Sequence, residues 1–203
     1  MVKTKIIRKK GSWIEVLDDC RFTANKKDLS KEPSTKFKKR ILIAEHSPIR
    51  NISFKWEWTE QPHWVVVHWV RHKWECYVNT QRTDRTGQDR HELPQDSPQN
   101  FRGEANVQHL IDTMRKRLCL QASRETRECA ISLKSEITNS DKFIGDIFVP
   151  NCIYRCGCPE FDSKDTNRCM FFENFISKFP RDKDIFDIQE RYDVYNKMMN
   201  GGE

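Results

Sequence analysis

The chain has 203 residues, of which 36 are lysine or arginine and 30 aspartate or glutamate, giving a net charge of +6. This length supports one hydrophobic core with an appendage, and it excludes a disordered chain or a disulfide-stapled miniprotein. The surplus of positive charge points to anionic ligands. Because acidic residues are interspersed with the basic ones, a phosphate-bearing small molecule suits it as well as nucleic acid does. No stretch approaches the ~18 apolar residues of a membrane helix, and residues 1–13 lack the apolar core of a signal peptide, so a cytoplasmic protein is expected. The eight cysteines then read as free thiols or metal ligands rather than disulfides.

Lys5-Ile6-Ile7 and Trp13 to Leu17 alternate on either side of Lys9-Lys10-Gly11-Ser12, which predicts an N-terminal hairpin. A polar loop over residues 25–33 precedes a helix capped by Ser34 or Thr35. Its apolar positions are Phe37, Ile41, Leu42 and Ala44, its solvated face is Lys36, Lys38, Lys39 and Arg40, and Pro48 stops it. Ile52, Phe54, Trp56 and Trp58 then alternate with Ser53, Lys55 and Glu57, the period of a strand with one apolar face.

The next stretch, Pro62 to Arg82 (PHWVVVHWVRHKWECYVNTQR), carries an apolar run into a dense polar block, an arrangement costly beside a core unless something binds there. Read as one helix, it sets Arg71, Glu75, Val78 and Arg82 on one side and His68, His72 and Asn79 on another. Arg71 and Lys73 then point nearly opposite ways, which requires either a helix that breaks after His72 or a site shared between subunits. Residues 83–103 have no periodicity and read as a long loop. Ala105 to Ile137 reads as a single helix with a core stripe of Val107, Leu110, Ile111, Met114, Leu118 and Ala122. Beside that stripe runs a polar one, Arg117, Gln121, Arg124 and Glu128, whose simplest explanation is a solvated face. A charged amphipathic helix is expected around residues 185–199.

Arg71-His72-Lys73, with Arg82 and Arg117, concentrates cations suited to phosphate or to an electron-rich ring gaining negative charge; a solvated helix end is the competing explanation. There is no GxGxxG loop, Walker sequence or HExxH. Cys152, Cys156, Cys158 and Cys169 follow C-x3-C-x-C-x10-C, which is not a zinc-ribbon spacing. They can bind zinc, with Cys119 replacing Cys156 as fourth ligand, or remain reduced structural thiols. His46, His63 and His109, scattered singly, read as structural. Taken alone, the basic surface and the cysteine cluster also suit a non-enzymatic nucleic-acid-binding protein with a C-terminal zinc site.

Arg71-His72-Lys73, Cys76 and Thr80-Gln81-Arg82 together resemble the signature of flavin-dependent thymidylate synthases: RHR, two residues, Ser, four residues, Ser, one residue, Arg. Upstream, HSPIRNISFKWEW followed by WVVVHWVRHK is similar to that family's strand leading into the helix before the motif. Downstream, RKRLCLQASRETREC resembles the helix that closes its nucleotide site. The resemblance spans residues 42–130. Lys73 stands for an arginine, Cys76 for a serine and Asn51 for a frequent histidine, and Arg71 to Arg82 is one residue shorter than usual, as in a divergent, phage-like member.

The resemblance implies an α/β (α+β) fold, a mixed or antiparallel sheet flanked by long helices. The core would occupy residues 1–150, with the cysteine cluster and last helix, 151–203, packed on the same domain. It implies a homotetramer whose subunits share sites, FAD as cofactor, dUMP or a related pyrimidine nucleotide as substrate, methylenetetrahydrofolate as carbon donor and NADPH as reductant. Arg71, His72, Lys73, Gln121 and Asn51 would contact the flavin. Thr80, Gln81 and Arg82 would hold the nucleotide phosphate. Arg117 would sit against the uracil and stabilise the charge that develops on it. Separately from the resemblance, the cysteine spacing assigns any zinc to Cys119, Cys152, Cys158 and Cys169.

Overall fold

Three aromatic side chains on one strand set the architecture. The computed structural model describes residues 2–160, 162, 164 and 169–201. In strand β2 (Ser53–Pro62), Phe54, Trp56 and Trp58 all face inward and are no more than 1% exposed. The sheet runs in the order β1-β2-β4-β3, with β1 at Lys5–Lys10, β3 at Glu75–Val78 and β4 at Pro98–Asn106. Every pairing is antiparallel, so the sheet takes the antiparallel form of the expected architecture. Helices α3 (His63–Val70), α5 (Val107–Arg117) and α6 (Arg124–Ser140) pack on the apolar face. The opposite face is charged: Glu104 accepts Arg8 at 2.8 Å, Lys10 at 3.2 Å and Lys55 at 3.4 Å. This one-sided division is the usual economy of an antiparallel sheet.

Several sequence expectations need correction. The N-terminal hairpin is a strand followed by helix α1 (Trp13–Thr23), because Ser12 and Glu15 close a capping box: Ser12 Oγ accepts the Glu15 amide at 3.2 Å and Glu15 Oε2 accepts the Ser12 amide at 2.7 Å. Helix α2 (Thr35–Ile43) starts where expected, with Ser34 as cap. Lys38, however, is not solvated; its ammonium lies 5.3 Å from the Trp13 ring and 5.1 Å from that of Phe143. The expected loop at 83–103 contains a short helical turn, α4 (Thr83–Thr86), and most of strand β4. That strand's inward residues are Gln99, Phe101, Gly103 and Ala105, a set whose alternation hydropathy does not reveal. The helix expected over 105–137 is interrupted at residues 118–123. There the Ala122 amide turns back to the Cys119 carbonyl at 3.0 Å and Ser123, with extended backbone, starts α6.

The remaining chain forms α7 (Lys142–Asp146), α8 (Asn151–Arg155), α9 (Phe171–Ser177) and α10 (Ile188–Asn200), the last close to its expected place. Buried Arg191 of α10 ties this part together by donating to the carbonyls of Ile153 (2.5 Å), Tyr154 (3.0 Å) and Ile185. Lys134 of α6 crosses to it, donating to Asn196 Oδ1 and the Phe148 carbonyl, both at 2.6 Å. Among the described residues no helix is long and apolar enough to cross a membrane.

Gly103 faces Trp56 across β2 and β4, and a Cβ there would stand 2.5 Å from Trp56 Cζ2. The Trp56 ring is buried and enclosed by Trp58, Trp74 and Phe101, so it cannot swing away. Gly103→Ala should therefore destabilise the fold by about 1–3 kcal/mol, the range for overpacking a tight core, read as a lower midpoint in chemical denaturation at unchanged slope.

Candidate active site

The polar block after α3 is placed by the end of that helix. Val65, Val66 and Trp69 are buried, and the helix stops at Val70 with Arg71 as its C-cap. The His72 amide returns to the Trp69 carbonyl at 3.3 Å, and Trp74 folds back to stack on Trp69 at 5.7 Å and 12°, its Nε1 donating to the Trp69 carbonyl at 3.0 Å. The chain then enters β3. The continuous helix is thus replaced by a break two residues earlier than the alternative that places it after His72.

This turn meets the end of α5. Arg117 Nε donates to His72 Nε2 at 2.8 Å and Arg117 Nη2 to the His68 carbonyl at 2.7 Å. To accept that proton His72 must be neutral, and its environment keeps it so. Burial, then the charges of Arg117 and Lys116, lower its pKa to about 4. Arg117 is itself pushed down by burial and by Arg71, yet a guanidinium stays protonated at neutral pH. His68 Nδ1 lies 2.9 Å from Thr126 Oγ1, which accepts the Ser123 hydroxyl at 2.7 Å, so the start of α6 is joined to the same cluster.

Two concavities flank the end of α5. One is a cleft of about 380 Å³ walled by Arg71, His72 and Lys73 on one side and by His109, Asp112, Lys116, Tyr154 and Arg155 on the other. Arg115 also borders it, but its guanidinium is committed to an ion pair with Glu45 and lies 3.4 Å from the centre of the Tyr154 ring. With one carboxylate among so many cations, the cleft suits a phosphate or diphosphate. The other is a cavity of about 300 Å³ lined by Arg117, Gln121, Cys119, Cys152, Cys158 and Cys169, among others.

The remaining sequence-derived candidates lie elsewhere. Thr80, Gln81 and Arg82 follow β3 and line neither concavity; Arg82 pairs with Asp84 through Nε at 3.0 Å and Nη2 at 2.7 Å. Asn51 ends a 3-10 turn at Ser47–Asn51, bonds to Asp19 and lines neither concavity. Gln121 lies in the interruption between α5 and α6, not on a helical stripe, whereas Arg124 and Glu128 do form the expected intrahelical pair at 3.0 Å. Sequence reasoning missed Lys116, Tyr154 and Arg155, and it set His68 on the side of His72 without giving it a role. The run Arg115-Lys116-Arg117 was a visible signal, but Tyr154 and Arg155 are inconspicuous between two cysteines. His109, read as structural, borders the cleft.

No family model and no curated protein sequence matches the chain. Solved structures do share its fold. A UMP/dUMP methylase from Streptomyces cacaoi bound with 5-Br dUMP aligns at a TM-score of 0.58 and 13% identity, covering 73% of this chain and 94% of that one. Two structures of the flavin-dependent thymidylate synthase from Helicobacter pylori, both with FAD and dUMP, align at 0.58 and 11% identity, covering 72% and 73% of this chain and 99% of theirs.

The neutral state of His72 has a consequence for pH. Its folded-state pKa of about 4 lies below the ordinary 6.5, so between those values the unfolded chain binds more protons, and stability is lost as pH falls through that window. The His72 ring resonances should titrate near pH 4, and His72→Gln should flatten the acid limb of the stability profile. An NMR midpoint above pH 6 would contradict the proton assignment.

Proposed function

We propose that this chain is a flavin-dependent enzyme that methylates the uracil ring of dUMP or a related pyrimidine nucleotide. The observation that carries the reading is the junction of Arg71-His72-Lys73 with Arg117 and Lys116, on a fold shared with a dUMP methylase and with a synthase bound to FAD and dUMP. The resident groups fit FAD: the cleft's unpaired cations match a diphosphate, with Arg71 supplying a planar fork and Lys73 a point charge. When bound, the flavin would supply hydride, drawn from NADPH, to a methylene group delivered by methylenetetrahydrofolate.

The chain's own residues then position and polarise. Arg117 is held at two points, by His72 and by the His68 carbonyl, which leaves Nη1 to meet a uracil oxygen. A fixed cation there stabilises charge gathering on the ring as carbon 5 becomes nucleophilic, with no protein nucleophile required. Gln121 borders the same cavity wall as Arg117 and is assigned to the flavin ring, as is Asn51 from a neighbouring copy. Thr80, Gln81 and Arg82 stand beyond β3, so their grip on the nucleotide phosphate is assigned to a site completed between copies, in a homotetramer.

The purified protein should be yellow and release FAD on denaturation, and Arg71→Ala should lose the flavin while keeping its fold. Lys73→Arg should tighten flavin binding by restoring the bidentate fork. Arg117→Leu should keep flavin yet lose tritium release from carbon 5 of labelled dUMP by at least ~100-fold, the scale of removing one preorganised electrostatic contact. A colourless protein that binds DNA with steep salt dependence would instead establish the nucleic-acid-binding alternative.

A further inference from the structure

Four cysteines line the cavity beside Arg117, and they come from three separate parts of the chain. Cys119 sits just past the end of α5, Cys152 in the first turn of α8, and Cys158 and Cys169 bracket the segment between α8 and α9. The approach of Cys158 to Cys152 has a local cause. Cys156 takes a left-handed conformation, φ 54°, and the Gly157 amide bonds back to the Cys152 carbonyl at 3.0 Å, so the chain reverses and brings Cys158 onto the cavity wall. Cys119, Cys158 and Cys169 all lie within electrostatic range of Cys152. Cys156, the nearest in sequence, is excluded: its thiol points to the Ile185 carbonyl at 3.8 Å. Cys20, Cys76 and Cys129 lie elsewhere, and none of the eight cysteines is in a disulfide.

We propose that Cys119, Cys152, Cys158 and Cys169 form a structural zinc site that fastens the segment after α8 to the end of α5. Four sulfur ligands with no water-bearing position are the donor set of a closed tetrahedral site, and thiolate selects zinc over the hard cations. Each thiol gives up its proton to solvent as its sulfur bonds to the Zn²⁺ ion, so the finished centre carries a charge of −2. Lys116 and Arg117 from the last turn of α5 line the same cavity and offset that charge, against one carboxylate there, Glu160. Among the described residues no group of three or more His, Cys, Asp or Glu side chains is already arranged to hold a metal ion. The site is therefore one that the metal closes: the thiols share a cavity, and binding draws them inward. This order of events breaks no regular element, since the described residues between Arg155 and Phe171 form no helix or strand.

The test is metal analysis of the full-length protein purified under reducing conditions without chelator. About one zinc per chain is expected. Exchange for Co²⁺ should give a sulfur-to-cobalt charge-transfer band with the intense d–d bands of tetrahedral coordination. Cys158→Ser and Cys169→Ser should each weaken Co²⁺ binding by at least ~10-fold and shift these bands, whereas Cys156→Ser and Cys20→Ser should leave affinity and spectrum unchanged. Zinc content should also be the same in flavin-free Arg71→Ala, which separates this site from the cofactor reading. Metal-free protein with no thiolate–cobalt spectrum would overturn the proposal. So would full Co²⁺ affinity in Cys169→Ser, or an intact mass two hydrogens light that shows a disulfide between these cysteines.

Discussion

Trp56 can lie across β4 only because residue 103 has no side chain, and much of the molecule depends on that contact. With its ring there, Trp58 packs edge-on at 5.8 Å and Trp74 at 5.1 Å, while Trp69 reaches Trp58 at 4.8 Å and stacks on Trp74. Trp74 can meet both Trp56 and Trp69 only if the chain reverses between Val70 and Glu75. The turn that presents Arg71, His72 and Lys73 is thus a by-product of core packing, made where the apolar helix has nothing further to bury. Aromatic pairs of this kind add ~0.5–1.5 kcal/mol each beyond the area they bury, enough for a cluster of them to hold three polar residues in a turn where only the middle one, His72, is half-buried.

The same packing explains the electrostatics. His72 is half-buried, and Trp74 and Trp69 lie at 5.0 and 5.9 Å from its ring. Such surroundings disfavour imidazolium, and a neutral imidazole is what lets a guanidinium approach within hydrogen-bonding distance. Arg117 is positioned by an acceptor that exists because the core is apolar. Its placement at the end of α5 also offsets the negative end of the helix dipole, so the local backbone, the core and the basic cleft agree on where the cation belongs.

How much of this was legible in the sequence follows from which side chains the elements use. Strand β2 and helices α2 and α10 announce themselves through apolar period and caps. The antiparallel sheet was one of the two forms that the family resemblance implied, and the Arg71-His72-Lys73 block was visible as a run of cations after an apolar helix. Strand β4 was not, because a glutamine and a glycine occupy inward positions where a hydrophobic residue is the usual marker; the glycine is there to make room for Trp56. The capping box at Ser12 and Glu15 was a readable signal overshadowed by the alternation after it. The interruption between α5 and α6 was hidden because residues 118–123 include neither proline nor glycine, and the break is made by backbone turns and the Ser123 start of α6. For the site, local order put Arg71 beside His72, but the contact with Arg117 joins residues 45 positions apart, and no local pattern encodes that distance.

The two rims of the sheet are unlike one another. β1, the outer strand on one side, carries Lys5, Arg8, Lys9 and Lys10, which outnumber the carboxylates they pair with, Glu57, Glu104 and Asp141, so two copies brought together along that rim would oppose a surplus of like charge. β3, on the other side, has only four residues, with Tyr77 59% and Val78 38% exposed. Backbone groups along an outer strand are a template for strand addition, and the short length of β3, whose one charged residue is Glu75, limits how much ladder a stray chain can build. Solubility at high concentration is therefore guarded by charge at one rim and by brevity at the other. Added salt would weaken the first safeguard and leave the second unchanged.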